Sequence, residues 1–171
     1  MNADLGKTER ALHGSFTAEL ELPASPRDVF AAYAELPVRR RWFRMPGRPD
    51  GEHELDFRVG GTERLAATFA PYGDGRAEHM AYHSHFLDIV PERRIVCAYR
   101  FEHDGEPRLS SLVTVELSAS GTGTAVRHVE QYAFLAVTGN GDDDVAHLRG
   151  GTRLQLNGLL AALGSDPAPI W

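Results

Sequence analysis

Three histidines, His79, His83 and His85, crowd into the nine residues EHMAYHSHF at 78–86. On a β-strand alternate side chains leave opposite faces, so these odd positions share one. Histidine changes charge near neutrality and is the commonest metal ligand, which makes such a face a candidate for proton handling or metal binding. His128 and Glu130, two apart in VRHVEQY, share a face in the same way. Burial raises the pKa of a lone carboxyl and a neighbouring imidazolium lowers it, so Glu130 beside a histidine is a proton-handling unit. The candidates for acid and base are His128, Glu130, His83 and His85, with Tyr99 or Tyr132 donating to a substrate carbonyl. A zinc or iron site needs three or four ligands converging within about 2.0–2.2 Å of one point. His83 and His85 would have to recruit His128 or Glu130 across the fold, and the expectation is that no metal is bound. His13, His53, His103 and His147 read as surface or loop residues.

The chain that must position these groups has 171 residues, enough for one domain burying about 70% of its unfolded surface without help from a cofactor. We expect a single domain over 1–171 with an ordered core from about 14 to 163. The net charge is −6, and cations cluster only in Arg39-Arg40-Arg41-Trp42-Phe43-Arg44, which argues against nucleic-acid binding. The one cysteine, Cys97, permits no internal disulfide and no cysteine-based zinc motif, and its apolar surroundings suit an inert core thiol. MNADLGKTER lacks the apolar core of a signal peptide, and no run approaches the ~18 apolar residues of a membrane span. A soluble cytoplasmic protein, monomer or homodimer, is expected.

Residues 1–12 are polar and expected to fray, whereas SFTAELEL at 15–22 alternates as a strand with one wet face. Ser25 caps a short helix with Pro26 at its first position and Asp28 in its first turn; Pro37 stops it, and 38–44 carries a second helical turn. After a loop at 46–52, His53–Val59 alternates as a strand, Gly60-Gly61 turns the chain, and 62–69 follows. Beyond a loop at 71–77, four more strands are expected near 78–90, 94–103, 109–118 and 123–134. Val145, Leu148, Leu156, Leu159 and Leu163 then recur at helical spacing, and Asp142, Asp143 and Asp144 suit a helix amino terminus, so a helix is expected over 142–163. Gly150-Gly151 inside it costs roughly 2 kcal/mol against alanine, which close packing or a bend should offset. The tail SDPAPIW reads as irregular.

The order and spacing resemble the START-like, helix-grip (SRPBCC) superfamily, and within it the branch similar to the activator of heat-shock-protein-90 ATPase. The residues that carry this are Ser25–Phe30 (SPRDVF), Arg41-Trp42-Phe43, Gly60-Gly61, FLDIVPERRIV at 86–96, VTVEL at 113–117 and Gly123-Thr124. The resemblance implies an α+β fold in which a curved antiparallel sheet of about seven strands wraps a long carboxy-terminal helix, with two short helices after the first strand. It further implies a cavity between sheet and helix in which members bind or transform hydrophobic small molecules, and it carries over no catalytic motif.

Parity then assigns faces. Apolar Leu87 and Ile89 flank Asp88, so the odd residues of 78–90 should face inward, His83 and His85 among them, unless a bulge intervenes. Ile95, Cys97, Tyr99 and Phe101 form the next inner set, then Val113, Val115 and Leu117, while the family-like alignment turns Thr124, Val126, His128, Glu130 and Tyr132 inward. Leu65 and Phe69 point inward from the second hairpin, with Glu63 of the same parity, and Phe57 from the preceding strand. The helix offers Leu148, Thr152, Leu156 and Leu159, and Trp42 either lids the mouth or packs under a short helix. These residues make up the expected ligand site, with Arg39, Arg40, Arg41 and Arg44 on a solvated helix face. The expected function is binding of a hydrophobic, lipid or polyketide-like molecule. A cyclase-like enzyme using His and Glu, or a co-chaperone-like interaction module acting through its surface, are the alternatives.

Overall fold

The computed structural model describes residues 7–70 and 76–164. In chain order these form β1 (Lys7–Leu22), α1 (Pro26–Ala34), α2 (Leu36–Trp42), β2 (Arg48–Pro49), β3 (Glu54–Leu55) and β4 (Thr62–Phe69). There follow β5 (Glu78–Val90), β6 (Arg94–His103), β7 (Glu106–Ser120), β8 (Gly123–Ala136) and α3 (Asp142–Leu163). The strands make one antiparallel sheet in the order β1-β8-β7-β6-β5-β4-β2, with β3 also on β4. This is the α+β helix-grip arrangement expected, with eight strands. Its first strand closes against its last, which brings the two ends of the sheet's sequence together.

Local chemistry accounts for the helices. The Ser25 hydroxyl accepts from the Asp28 amide at 3.2 Å, Pro26 supplies the preset first turn, and Val29, Ala32 and Tyr33 bury one face of α1. Pro37 does not merely stop α1: it occupies the first turn of α2, where its missing donor costs nothing. Three aspartates occupy the first turn of α3, where the helix dipole favours them.

Three expectations need correction. Residues 7–12 are not frayed: they extend β1, Lys7 opposing Ala136 and Leu12 opposing Phe134 across an irregularity. Of 53–59 only Glu54 and Leu55 pair as a strand, because the chain turns at once through Arg58 and Gly61. Gly150 and Gly151 neither pack closely nor serve a neighbour: a Cβ at either would meet open space. The helix does have a glycine of the expected kind, Gly158, whose Cβ would lie 3.3 Å from the Trp42 carbonyl, so α2 and α3 approach closely there. The expected loop at 71–77 falls largely, and the tail 165–171 wholly, outside the described residues.

The interior divides in two. A larger apolar cluster joins Leu22, Val29, Trp42, Phe86, Ile95, Val115 and Leu159. A smaller one gathers Leu109, Tyr132 and Phe134 with Phe16, Val145 and Leu148. Between them lies a layer of polar side chains.

Candidate functional site

The inward faces of four adjacent strands, β5 to β8, supply that layer, with Thr152 from α3. On β6 and β7 the parity read from sequence holds, and on β8 so does the assignment implied by the resemblance: Tyr99, Val113, Glu130 and Tyr132 all face inward. On β5 it is inverted. Tyr82, Ser84 and Phe86 are buried, while Leu87 is 52% exposed. The ladder with β6 shifts between Phe86 and Asp88, and only beyond that shift does an odd residue, Ile89, face inward opposite Ile95. The bulge inserts one residue and so swaps faces. His79, His83 and His85 therefore lie on the outer face with Leu87, not in the interior. His79 is held there by Thr68 and lies 3.5 Å from Asp50.

Glu130 stands at the centre of the layer and is 1% exposed. Tyr99 donates to its Oε1 at 2.5 Å, the Thr152 hydroxyl of α3 donates to Oε2 at 3.3 Å, and His128 Nε2 lies 3.4 Å from Oε2. Burial alone would raise its pKa, but the His128 and Tyr99 hydrogen bonds outweigh burial and hold the carboxyl below its usual range. Burial, followed by the neighbouring carboxylate, drives the Tyr99 phenol well above its ordinary value, so it remains a donor. On either side of Tyr99, directly opposite in the ladders, stand Ser84 and Ser111. Both hydroxyls are buried and have no partner in hydrogen-bonding geometry. Ser111 nonetheless stands close enough to Glu130 and Tyr99, and Ser84 to Tyr82, to act on their pKa values, so the two hydroxyls border the Tyr99–Glu130 pair. Parity from Tyr82 and Phe86 would have found Ser84; the serines carry no other signal in the sequence.

A second buried carboxylate shows what a structural one looks like. Glu63, also 1% exposed, receives Nε and Nη2 of Arg39 at 2.8 and 2.7 Å, and His53 Nε2 at 2.8 Å. Burial raises its pKa, but the Arg39 charge and hydrogen bonds and then His53 overcome this and lower it. Arg39 is thus buried and not on a solvated face, its guanidinium 3.8 Å from the Phe43 ring centre and 4.5 Å from that of Trp42. His53 does lie in the irregular stretch before β3, but its side chain is an interior partner and not a surface group. Glu63 is neutralised by a guanidinium; Glu130 has only His128 to offset its charge.

The remaining predicted residues divide. Leu156 and Leu159 are core residues, and Phe57 packs on Phe30 and Phe86. Trp42 is buried and donates from Nε1 to the Ala32 carbonyl at 2.9 Å, which is the packing role and not a lid. Leu65 and Val113 pack in or against the larger cluster, Tyr132 and Leu148 in or against the smaller. Phe69 ends β4 at the sheet margin, partly exposed. At the other side of the layer His128 keeps 13% of its side chain exposed, Phe16 stacks on it with centroids 6.5 Å apart, and Arg149 of α3 lies 5.7 Å over Phe16. That stack lies at the edge between β1 and α3, and two hollows, one lined from His13 to Ala133 and one from Glu19 to Arg127, open on the other face of the sheet and not around Glu130. Among the described residues no three acidic, histidine or cysteine groups are placed to hold a metal. No helix among them is long and apolar enough to cross a membrane.

A family model described as Activator of Hsp90 ATPase homolog 1-like protein matches residues 23–164. Among solved structures, the Mll3558 protein of Rhizobium loti is 39% identical with a TM-score of 0.74, covering 90% of this chain and 99% of that one. A protein of Rhizobium leguminosarum is 34% identical with a TM-score of 0.75, covering 90% and 95%. CalU16 of Micromonospora echinospora, at 20% identity and a TM-score of 0.59 over 91% and 85%, shares the fold. A search of curated proteins gave no match. The chain belongs to the Activator of Hsp90 ATPase homolog 1-like family, whose fold is a ligand-binding one.

Proposed function

We propose that this family member binds a hydrophobic, ring-containing small molecule between the sheet and α3, with a hydroxyl or other N–H or O–H donor directed at Glu130. The observation that carries this is Glu130, a buried carboxylate held below its usual range with no arginine or lysine partner, with the buried hydroxyls of Ser84 and Ser111 on either side of its donor Tyr99. A mostly apolar wall with a few convergent polar groups is the usual form of a small-molecule site. Glu130 accepts, the serines can donate to a carbonyl, and a ligand carboxylate would be repelled, so a phenolic or polyketide-like molecule fits better than a fatty acid. Access requires the Arg149–Phe16–His128 stack to part.

A second reading rests on the His128–Glu130 contact at 3.4 Å, the part of the layer nearest solvent. An imidazole and a carboxylate so placed can move a proton on a bound ligand, as a cyclase-like reaction needs.

The test compares 2-naphthol with 2-naphthoate by thermal shift and isothermal titration. The parent should bind the naphthol in preference, and Glu130→Leu, which keeps the interior filled, should abolish that preference. Equal affinity for the two compounds in the parent, or an unchanged preference in the variant, overturns the reading.

A further inference from the structure

The sheet also carries a hollow on its outer face. A trough of about 870 Å³ crosses the face opposite α3, reaching from His13 on β1 to Arg64 on β4. Its floor at the middle is small or apolar: Ala98, Ser110, Leu112 and Ala133. Its far end is cationic. Arg64, His83 and Arg100 are direct cross-strand partners on β4, β5 and β6, and His85 adjoins them. The two arginines stand two strands apart with the His83 imidazole between them. Arg100 finds one carboxylate, Glu102, at 2.6 Å, an exposed pair of small worth. Arg64 forms no ion pair among the described residues, although Glu54 is its other cross-strand neighbour. No acidic residue lines the trough, in a chain with 24 acidic side chains and a net charge of −6. A second hollow on this face, by contrast, is walled by Glu19, Glu21 and Glu116 around Arg127.

We infer that this trough binds a small molecule with an oxyanion, phosphate or carboxylate, at one end and a short apolar body. Strands lie about 4.8 Å apart, so Arg64 and Arg100 leave the backbone about 10 Å from each other with His83 between, near enough for two guanidinium forks to converge on one oxyanion. The body then runs over Ala98 and Leu112 toward β1. The volume falls in the range of small-molecule sites. An arriving anion would bridge the two guanidiniums, of which only Arg100 has an ion-pair partner among the described residues, Glu102.

The test is a titration of the full chain followed by amide chemical shifts at constant ionic strength, with phenyl phosphate, inorganic phosphate, benzoate and phenol. Phenyl phosphate or benzoate should shift residues 64, 83, 98, 100 and 112 saturably, and which of the two binds more tightly identifies the anionic group. Inorganic phosphate should bind more weakly at the same cations, and phenol should not bind there. Arg64→Gln and Arg100→Gln should each weaken binding by at least about tenfold, the loss of one charge-assisted hydrogen bond. Arg127→Gln, elsewhere on the outer face, should not. Without ligand, Arg64→Gln should melt no lower than the parent, so lost binding cannot be assigned to unfolding. Shifts spread over all surface arginines, equal weakening by Arg127→Gln, or no saturation by either aromatic anion overturns the inference.

Discussion

Replacing Arg39 by methionine removes the guanidinium from Glu63 while leaving an apolar side chain against Phe43 and Trp42. Breaking one side of a buried ion pair costs about 3–5 kcal/mol, because the other charge stays in the interior without its partner. For a chain of this length each kcal/mol lowers the melting temperature by about 2–4 °C, so a fall of about 6–20 °C is expected by calorimetry. The pH dependence carries a sign. In the parent, Glu63 is held below its usual range, so its contribution is present above the unfolded carboxyl pKa and lost as pH falls through the folded one. Without Arg39, burial dominates and pushes Glu63 up, so the cost is absent in acid and grows as pH rises through the raised value. The gap between parent and variant should therefore narrow from pH 7 toward pH 5. The double variant Arg39→Met, Glu63→Leu should recover much of the loss, since no charge is left buried. A single variant melting within about 2 °C of the parent, or a double variant no better than the single, would refute the assignment of Arg39 and Glu63 as a structural pair.

Two further outcomes follow from burial and space. Gly150→Ala and Gly151→Ala meet nothing within 4 Å, so each should stabilise α3 by about 1 kcal/mol, seen as a higher denaturant midpoint with an unchanged slope. Burial pushes the Cys97 thiol up to about 12, so a thiol reagent at pH 8 should label it only as fast as the protein opens, and rapid labelling would place it at the surface.

The order of elements was legible because period and punctuation agree along most of the chain. Ser25-Pro26 opens α1, α3 begins and ends where its leucines and aspartates predict, and the faces that the resemblance assigns to β8 hold because its ladder with β7 runs without a shift from Gly123 to Phe134. The interior of β5 was not legible. Leu87 and Ile89 are both apolar yet face opposite ways across the bulge, and parity taken from them carried three histidines to the wrong side. Tyr82 and Phe86 offered the competing phase, and sequence alone has no means of ranking the two. Arg39 and His53 were misread for a different reason: each is defined by Glu63, 24 and 10 residues distant in sequence, and such a partner appears only when the sheet has formed. Glu130 and His128 were identified correctly as an inward pair, whereas the serines that border the Tyr99–Glu130 pair were missed, since serine is uninformative until its burial is known.

The most direct measurement of the central claim is native mass spectrometry of the freshly purified protein, parent beside Glu130→Leu, with extraction of whatever the parent carries. The account predicts a substoichiometric small-molecule adduct on the parent, hydrophobic and bearing a hydroxyl, that the variant lacks while remaining folded. An adduct retained equally by both proteins, or a parent that stays bare and binds neither naphthol nor any phenolic compound, would contradict it.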